Sequence, residues 1–148
     1  MSFISCGVLG VFMAMTERGG APTVVIETEN DKCVIIYVGL FEALSISHAL
    51  KGEILPRPIT HDLFIDLLEK FSISVLSLHI DSLDDGVFYS KLTCTGDHEK
   101  QTIDCRPSDG IAIALRADAP ILIDRGVVDS AGVAREEIGD LKDISNFM

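Results

Sequence analysis

An apolar run, Ile111-Ala112-Ile113-Ala114-Leu115, follows directly on a charged turn, Arg106-Pro107-Ser108-Asp109. A helix with no polar face has to be enclosed by other elements, so this run restricts the fold more than any other feature. Pro107 suits the first helical turn, where its missing N–H would be unpaired in any case. Asp104–Ile123 therefore reads as a strand end, a turn, a buried helix and a second buried strand at Ile121–Ile123. Arg106, Ser108 and Asp109 gather at the helix start, where backbone N–H groups point outward with partial positive charge. A polar cluster on the rim of a rigid apolar helix is a candidate site.

The remaining chain supplies partners for that helix. Phe3–Met15 predicts a strand, kinked at Gly7 or Gly10. After a turn cluster at Arg18–Pro22 come strands at Thr23–Glu29 and Lys32–Val38, joined by Asn30-Asp31, two residues that tolerate positive φ. Phe41–Leu50 reads as a largely apolar helix closed by Lys51-Gly52. Pro56-Arg57-Pro58 is extended, and Thr60 is expected to cap a helix over His61–Phe71. In that helix Leu63, Phe64, Leu67, Leu68 and Phe71 form one apolar stripe. A meander follows at Ser74–Ser82, Val87–Thr95 and Lys100–Cys105, turning at Asp84–Gly86 and at Gly96–Glu99, the second turn including His98. Val127–Ala131 predicts a small helix, and residues 132–148 an acidic C-terminal helix or tail. The class implied is α+β: one domain over 1–148, with a mixed, largely antiparallel sheet packed with two to four helices.

Four segments, in order, resemble the bifunctional nuclease domain family. They are Gly39-Leu40-Phe41-Glu42-Ala43, Pro56-Arg57-Pro58-Ile59-Thr60-His61-Asp62-Leu63, Asp85-Gly86-Val87-Phe88-Tyr89, and Arg106-Pro107-Ser108-Asp109 with its apolar helix, Arg116 and Ala119-Pro120-Ile121. The resemblance covers about residues 24–130 and implies an α+β domain that hydrolyses phosphodiester bonds in DNA and RNA. Leu40 stands where the family pattern has proline, Gly110 where it has alanine, and Asp118 where it has a small or polar turn residue. Glycine inside a helix lowers its stability by up to about 1 kcal/mol, so Gly110 is expected to loosen the site.

Composition argues the other way. Twelve Lys and Arg against 23 Asp and Glu leave a formal net charge of −11, which excludes a general basic surface for nucleic acid. The apolar N-terminal run is too short to span a bilayer and has no basic residue before it, so a soluble cytoplasmic protein is expected, with no membrane partner. Cys6, Cys33, Cys94 and Cys105 form no Cys-x-x-Cys pair and read as free thiols, although Cys94 and Cys105 could face each other across a hairpin.

Two polar clusters carry candidate chemistry. Arg57, Thr60, His61 and Asp62 combine a phosphate clamp, a proton-transfer group and an orienting carboxylate. The plainer account makes Thr60 a cap, His61 exposed and Arg57 the partner of Asp62. Arg106 and Ser108 could hold phosphate, while Asp109 could instead reach back to its own helix cap. Because Asp109 would repel a phosphate, hydrolysis would need either a divalent cation such as Mg2+ or Mn2+, with Glu42, Asp62 and Asp109 as candidate ligands, or a mechanism centred on His61. The catalytic candidates are thus His61, Asp62 and Asp109, and the substrate-binding candidates Arg57, Thr60, Arg106 and Ser108. Tyr37, Tyr89 and the seven phenylalanines fall mostly on core stripes and do not form a base-stacking platform. The competing function is a non-catalytic, homo-oligomeric binding or regulatory module, with the Phe41–Leu50 helix and the first strand supplying apolar surplus for association.

Overall fold

The strands are β1 (Phe3–Thr16), β2 (Gly19–Thr28), β3 (Lys32–Tyr37), β4 (Ser74–Asp84), β5 (Val87–Thr95), β6 (Gln101–Cys105), β7 (Ile121–Asp124), β8 (Val133–Ala134) and β9 (Leu141–Asp143). They join in one sheet in the order β6-β5-β4-β7-β1-β2-β3-β8, with β9 paired to β1. Four α-helices accompany them: α1 (Leu40–Lys51), α2 (Thr60–Lys70), α3 (Pro107–Ala117) and α4 (Arg125–Ala131). This computed structural model describes residues 2–97 and 99–147; His98, expected in a meander turn, lies outside the described residues. The expected α+β class and mixed, mostly antiparallel sheet are what the chain forms.

Local chemistry explains most boundaries. Asp31 takes φ 61° in the β2–β3 turn, and Asp85 φ 51° with Gly86 φ 77° in the β4–β5 turn, positions that suit Asp and Gly. β1 carries its irregularity between Val8 and Gly10, where the register with β2 shifts. The Arg18–Pro22 cluster is not a turn, however. The β1–β2 ladder runs on to Thr16 opposite Gly19, so β2 begins at Gly19 and the turn tightens to Glu17-Arg18. Gly52 ends α1 in the left-handed region at φ 67°.

All strand pairs are antiparallel except β4 with β7. That one parallel pair is the product of α3. Leaving β6 at the sheet edge, the chain recrosses β5 and β4 as α3 and lays β7 beside β4, with Leu78, His79 and Ile80 opposite Ile121, Leu122 and Ile123. α3 thereby packs against the sheet while touching α1 and α2. Its apolar run is enclosed as expected, with Ile111, Ala112 and Ala114 fully buried among Val24, Ile26, Ile46, Leu78 and Ile123. Gly110 does not loosen this arrangement. It is buried, and a Cβ there would overlap Leu78 Cδ1 and lie 3.1 Å from Cys105 Sγ, so Gly110 sets the close approach of α3 to the sheet.

Tertiary structure decides three further points. The C-terminal stretch is neither a regular helix nor a tail. β8 extends the sheet beyond β3, β9 takes the part of β1 that β7 leaves open, and Ile144 is buried in the core at 1% exposure. Cys94 and Cys105 are not cross-strand partners, because the register places Cys94 opposite Gln101 and Cys105 opposite Ser90; all four cysteines are free. Burial pushes the Cys6 thiol up to about 12 and raises the other three as well. The α2 stripe splits: Phe64, Ile65 and Leu68 face the protein, whereas Leu63, Leu67 and Phe71 are exposed. No described helix is long and apolar enough to cross a membrane.

Candidate active site

α1, α2 and α3 each bring one end to the same place. Ile59 leaves the proline-rich segment fully extended at φ −90°, ψ 179°, so Ile59 and not Thr60 occupies the cap position of α2 and the helix starts at Thr60. Capping falls instead to Asp62, whose Oδ2 accepts from Ile59 N–H at 3.0 Å. His61 is thus the second residue of α2, still in its first turn, and its side chain is only 12% exposed. His61 Nε2 meets Asp109 Oδ1 of α3 at 2.9 Å, joining residues 48 apart in sequence. The two polar clusters therefore meet at this contact.

A continuous chain of polar contacts runs through the site. Ser45 Oγ lies 2.6 Å from His61 Nδ1, Arg106 Nε donates to Asp109 Oδ2 at 2.9 Å, and Arg106 Nη2 stands 3.7 Å from Glu42 Oε1. An ionised carboxylate only accepts, so the His61 proton sits on Nε2, and Nδ1 accepts from the Ser45 hydroxyl. Asp109 thus gives both oxygens to side chains and none to its own helix cap. Burial would push its carboxyl up, but hydrogen bonds from Arg106 and His61 outweigh that and hold it below the ordinary carboxylate range. The same residues, with Phe41, Leu44, His48, Leu55, Ile59 and Thr60, line a cavity of about 470 Å3.

Asp62 has a different role from the one its position suggested. Arg116 Nε donates to Asp62 Oδ1 at 2.7 Å, its Nη1 to Ala112 O at 3.0 Å and its Nη2 to Ser45 O at 3.2 Å. Arg116, only 10% exposed at its side chain, is therefore the partner of Asp62 in place of Arg57. Asp62 is absent from the cavity wall; it fastens the start of α2 to α3 and α1, and so positions His61. Burial opposes its charge, yet Arg116 and the Ile59 N–H keep its carboxyl below the ordinary range. Arg57 is exposed at a bend, so its segment is not extended as expected, and it lies outside the cavity wall, while buried Ser108 lines a neighbouring cavity.

The proposed metal set does not assemble. Asp62 is turned to Arg116, whereas Glu42 and Asp109 share Arg106 between them. Among the described residues no three His, Cys, Asp or Glu side chains converge as ligands, so the donor set does not fit a resident Mg2+ or Mn2+. Ser45 and Arg116, which contact the expected site residues but were not among them, each have a visible signal. Ser45 is a polar residue inside an apolar helix, and Arg116 is the one cation of α3.

Depressed carboxyl groups make stability depend on pH with a definite sign. Asp62 and Asp109 bind fewer protons folded than unfolded, so their contribution is complete above the unfolded aspartate value of about 3.9 and disappears as pH falls through their lower folded values. Urea titrations from pH 7 to pH 2 are expected to show a flat upper region and then a fall below about pH 4. Asp62→Asn should flatten that fall.

A model of the bifunctional nuclease domain matches residues 24–136, a span that includes every residue of the site from Glu42 to Arg116. An uncharacterized protein of Mycobacterium tuberculosis is 36% identical over 107 residues, 72% of this chain and 63% of that protein. Bifunctional nuclease 2 of Oryza sativa subsp. japonica is 27% identical over 126 residues, covering 82% of this chain and 39% of its own length. Bifunctional nuclease 1 of Oryza sativa subsp. indica is 26% identical over 123 residues, 78% and 37% of the two lengths. The chain spans less than two thirds of the length of each of these relatives. With more than half of its residues matched, and in the region that builds the cavity, the chain belongs to the bifunctional nuclease domain family.

Proposed function

We propose that the cavity hydrolyses phosphodiester bonds in DNA and RNA, with His61 as the proton-transfer group. The observation that carries this is the Ser45–His61–Asp109–Arg106 chain on the wall of one cavity. Hydrolysis of a diester needs a cation at the non-bridging oxygens, a base for the attacking hydroxyl and an acid for the leaving oxygen. Arg106, 66% exposed at its side chain, is the cation that substrate can reach. His61 takes a proton at Nδ1, relayed through the Ser45 hydroxyl from an attacking water. Asp109 steadies the imidazolium that results, and the proton then returns from Nδ1 through the Ser45 hydroxyl to the leaving oxygen. At 3% exposure, Ser45 is better placed to relay a proton than to attack phosphorus itself. With net charge −11 the protein grips substrate through few contacts, so recognition is confined to the phosphates beside Arg106.

The test is cleavage of single- and double-stranded DNA and RNA by purified protein, in EDTA and with added Mg2+ or Mn2+. Wild type is expected to cleave, and His61→Ala to lose about 10²–10⁴-fold, the range that general acid–base catalysis supplies. Equal trace cleavage by the two proteins would overturn the proposal and favour the non-catalytic module. The cytoplasmic setting is proposed with it, supported by four free thiols.

Self-association is also proposed, on a specific surface. β6 is an open end of the sheet, and its exposed Ile103 shares cavity walls with exposed Leu63, Leu67 and Phe71. Two copies pairing β6 with β6 would satisfy the free edge and cover the apolar face of α2. Sedimentation should then show a dimer that Leu67→Glu dissociates. A wild-type monomer at high concentration and moderate salt, where charge repulsion is screened, would remove this interface.

A further inference from the structure

Arg106 lines three cavities. Two of them, of about 470 and 690 Å3, also carry His61 and Asp109. The third, of about 430 Å3, is lined by Ile36, Tyr37, Val38 and Gly39 at the end of β3, Gly86, Val87 and Phe88 at the β4–β5 turn, and Arg106, Pro107 and Ser108 at the start of α3. Tyr37 is 63% exposed and Val87 51% exposed, so the wall presents an aromatic ring and an aliphatic side chain to solvent. This reverses the expectation that Tyr37 lies on a core stripe. Ile36 is buried at 3%, and the strand alternation turns its neighbour outward into the gap between β3, the β4–β5 turn and α3.

We infer that this third cavity is a nucleobase subsite, in which an unpaired base of a single strand stacks on Tyr37 while the adjoining phosphate bridges through Arg106 to the cavity that holds Ser45 and His61. The inference rests on the nuclease assignment of that adjoining cavity and names the form of nucleic acid it takes. Every base has a π-face, so an aromatic surface accepts any of them. The wall is mostly apolar, with Arg106, Ser108 and the Tyr37 hydroxyl as its polar side-chain groups, so it offers little hydrogen-bond readout of base identity. A ligand held by stacking and one guanidinium contact suits a protein whose net charge of −11 works against an extended phosphate-binding track. Duplex substrate must first unstack a base to fill this subsite, so single strands are the preferred class.

The experiment separates binding from cleavage. Fluorescence anisotropy of a labelled ten-residue thymidine strand and of an abasic strand of equal length is measured on His61→Ala protein, with and without Tyr37→Ala or Tyr37→Phe. The thymidine strand is expected to bind about 10-fold or more tightly than the abasic strand, an advantage lost in Tyr37→Ala and kept in Tyr37→Phe. The chain has no tryptophan and two tyrosines, so in Tyr89→Phe protein all tyrosine emission comes from Tyr37, and the thymidine strand should quench it where the abasic strand does not. Equal binding of the two strands, or unchanged discrimination in Tyr37→Ala, overturns the subsite. Failure of the nuclease assignment registers separately, as absence of cleavage by wild type, and leaves the binding comparison readable.

Discussion

Asp109→Asn is expected to reduce kcat/KM for single-stranded substrate by about 10³–10⁴-fold while leaving the fold intact. The size follows from what the carboxylate does. It accepts the Nε2 proton of His61 at 2.9 Å and so leaves Nδ1 basic toward Ser45. An amide of the same shape can present its NH2 group to the ring, which shifts the proton to Nδ1 and removes the base; the corresponding exchange in a serine protease triad is worth about 10⁴-fold. The amide also loses the charge that stabilises the imidazolium. KM should change less than kcat, because Arg106 stays exposed to substrate and loses only one of its two acidic neighbours. Circular dichroism and thermal melting check the fold, and initial rates on a labelled oligonucleotide check the activity. An Asp109→Asn protein within tenfold of wild type would show that His61 is not used as described.

Arg116→Met is the second large effect, and it falls on stability. The side chain joins three helices, through Asp62 on α2, Ala112 O on α3 and Ser45 O on α1. Breaking a buried ion pair by removing one partner costs about 3–5 kcal/mol, because the other charge is left uncompensated. Asp62 is about a third exposed at its side chain, so water recovers part of that, and a loss of about 2–3 kcal/mol is expected. For a domain of this length that lowers Tm by roughly 4–12 °C. Adding Asp62→Asn removes the stranded charge, so the double variant should melt above Arg116→Met alone. If the two substitutions add without coupling, the pair is not what holds α2 in place. Activity should fall along with stability, since the same contacts set where His61 stands.

The helical and strand skeleton was largely legible because its signals are local. Pro107 as the first residue of α3, the apolar run behind it, Asp31 and Asp85 in their turns and Gly52 after α1 all act within a few residues of themselves. The two polar clusters were legible as well, since both lie in first helical turns where side chains cannot be buried by their own helix. Their pairings were not. Arg57 is nearer to Asp62 in sequence than Arg116 is, yet the chain bends at Pro56 and Arg57 and leaves Arg57 exposed. Thr60 has the chemistry of a cap, but the extended conformation needed at that position falls on Ile59. The acidic C-terminal stretch was misjudged because nothing local shows that β1 keeps an open edge at Phe12–Ala14 for β9 to occupy.

By itself, the order of residues determined that a wholly apolar helix must be enclosed, that its charged first turn must sit at the rim, and that strands joined by tight Asp- and Gly-containing turns must surround it. These follow from hydrophobic burial and backbone sterics, which act along the chain. Only the tertiary structure decided which acid meets which base. Asp109 received His61 and Arg106, Asp62 received Arg116, and Tyr37 was turned outward beside Arg106. Ion pairs and hydrogen bonds depend on a few ångströms of separation between side chains, and here α3 sets that separation by recrossing the sheet to lie against both α1 and α2.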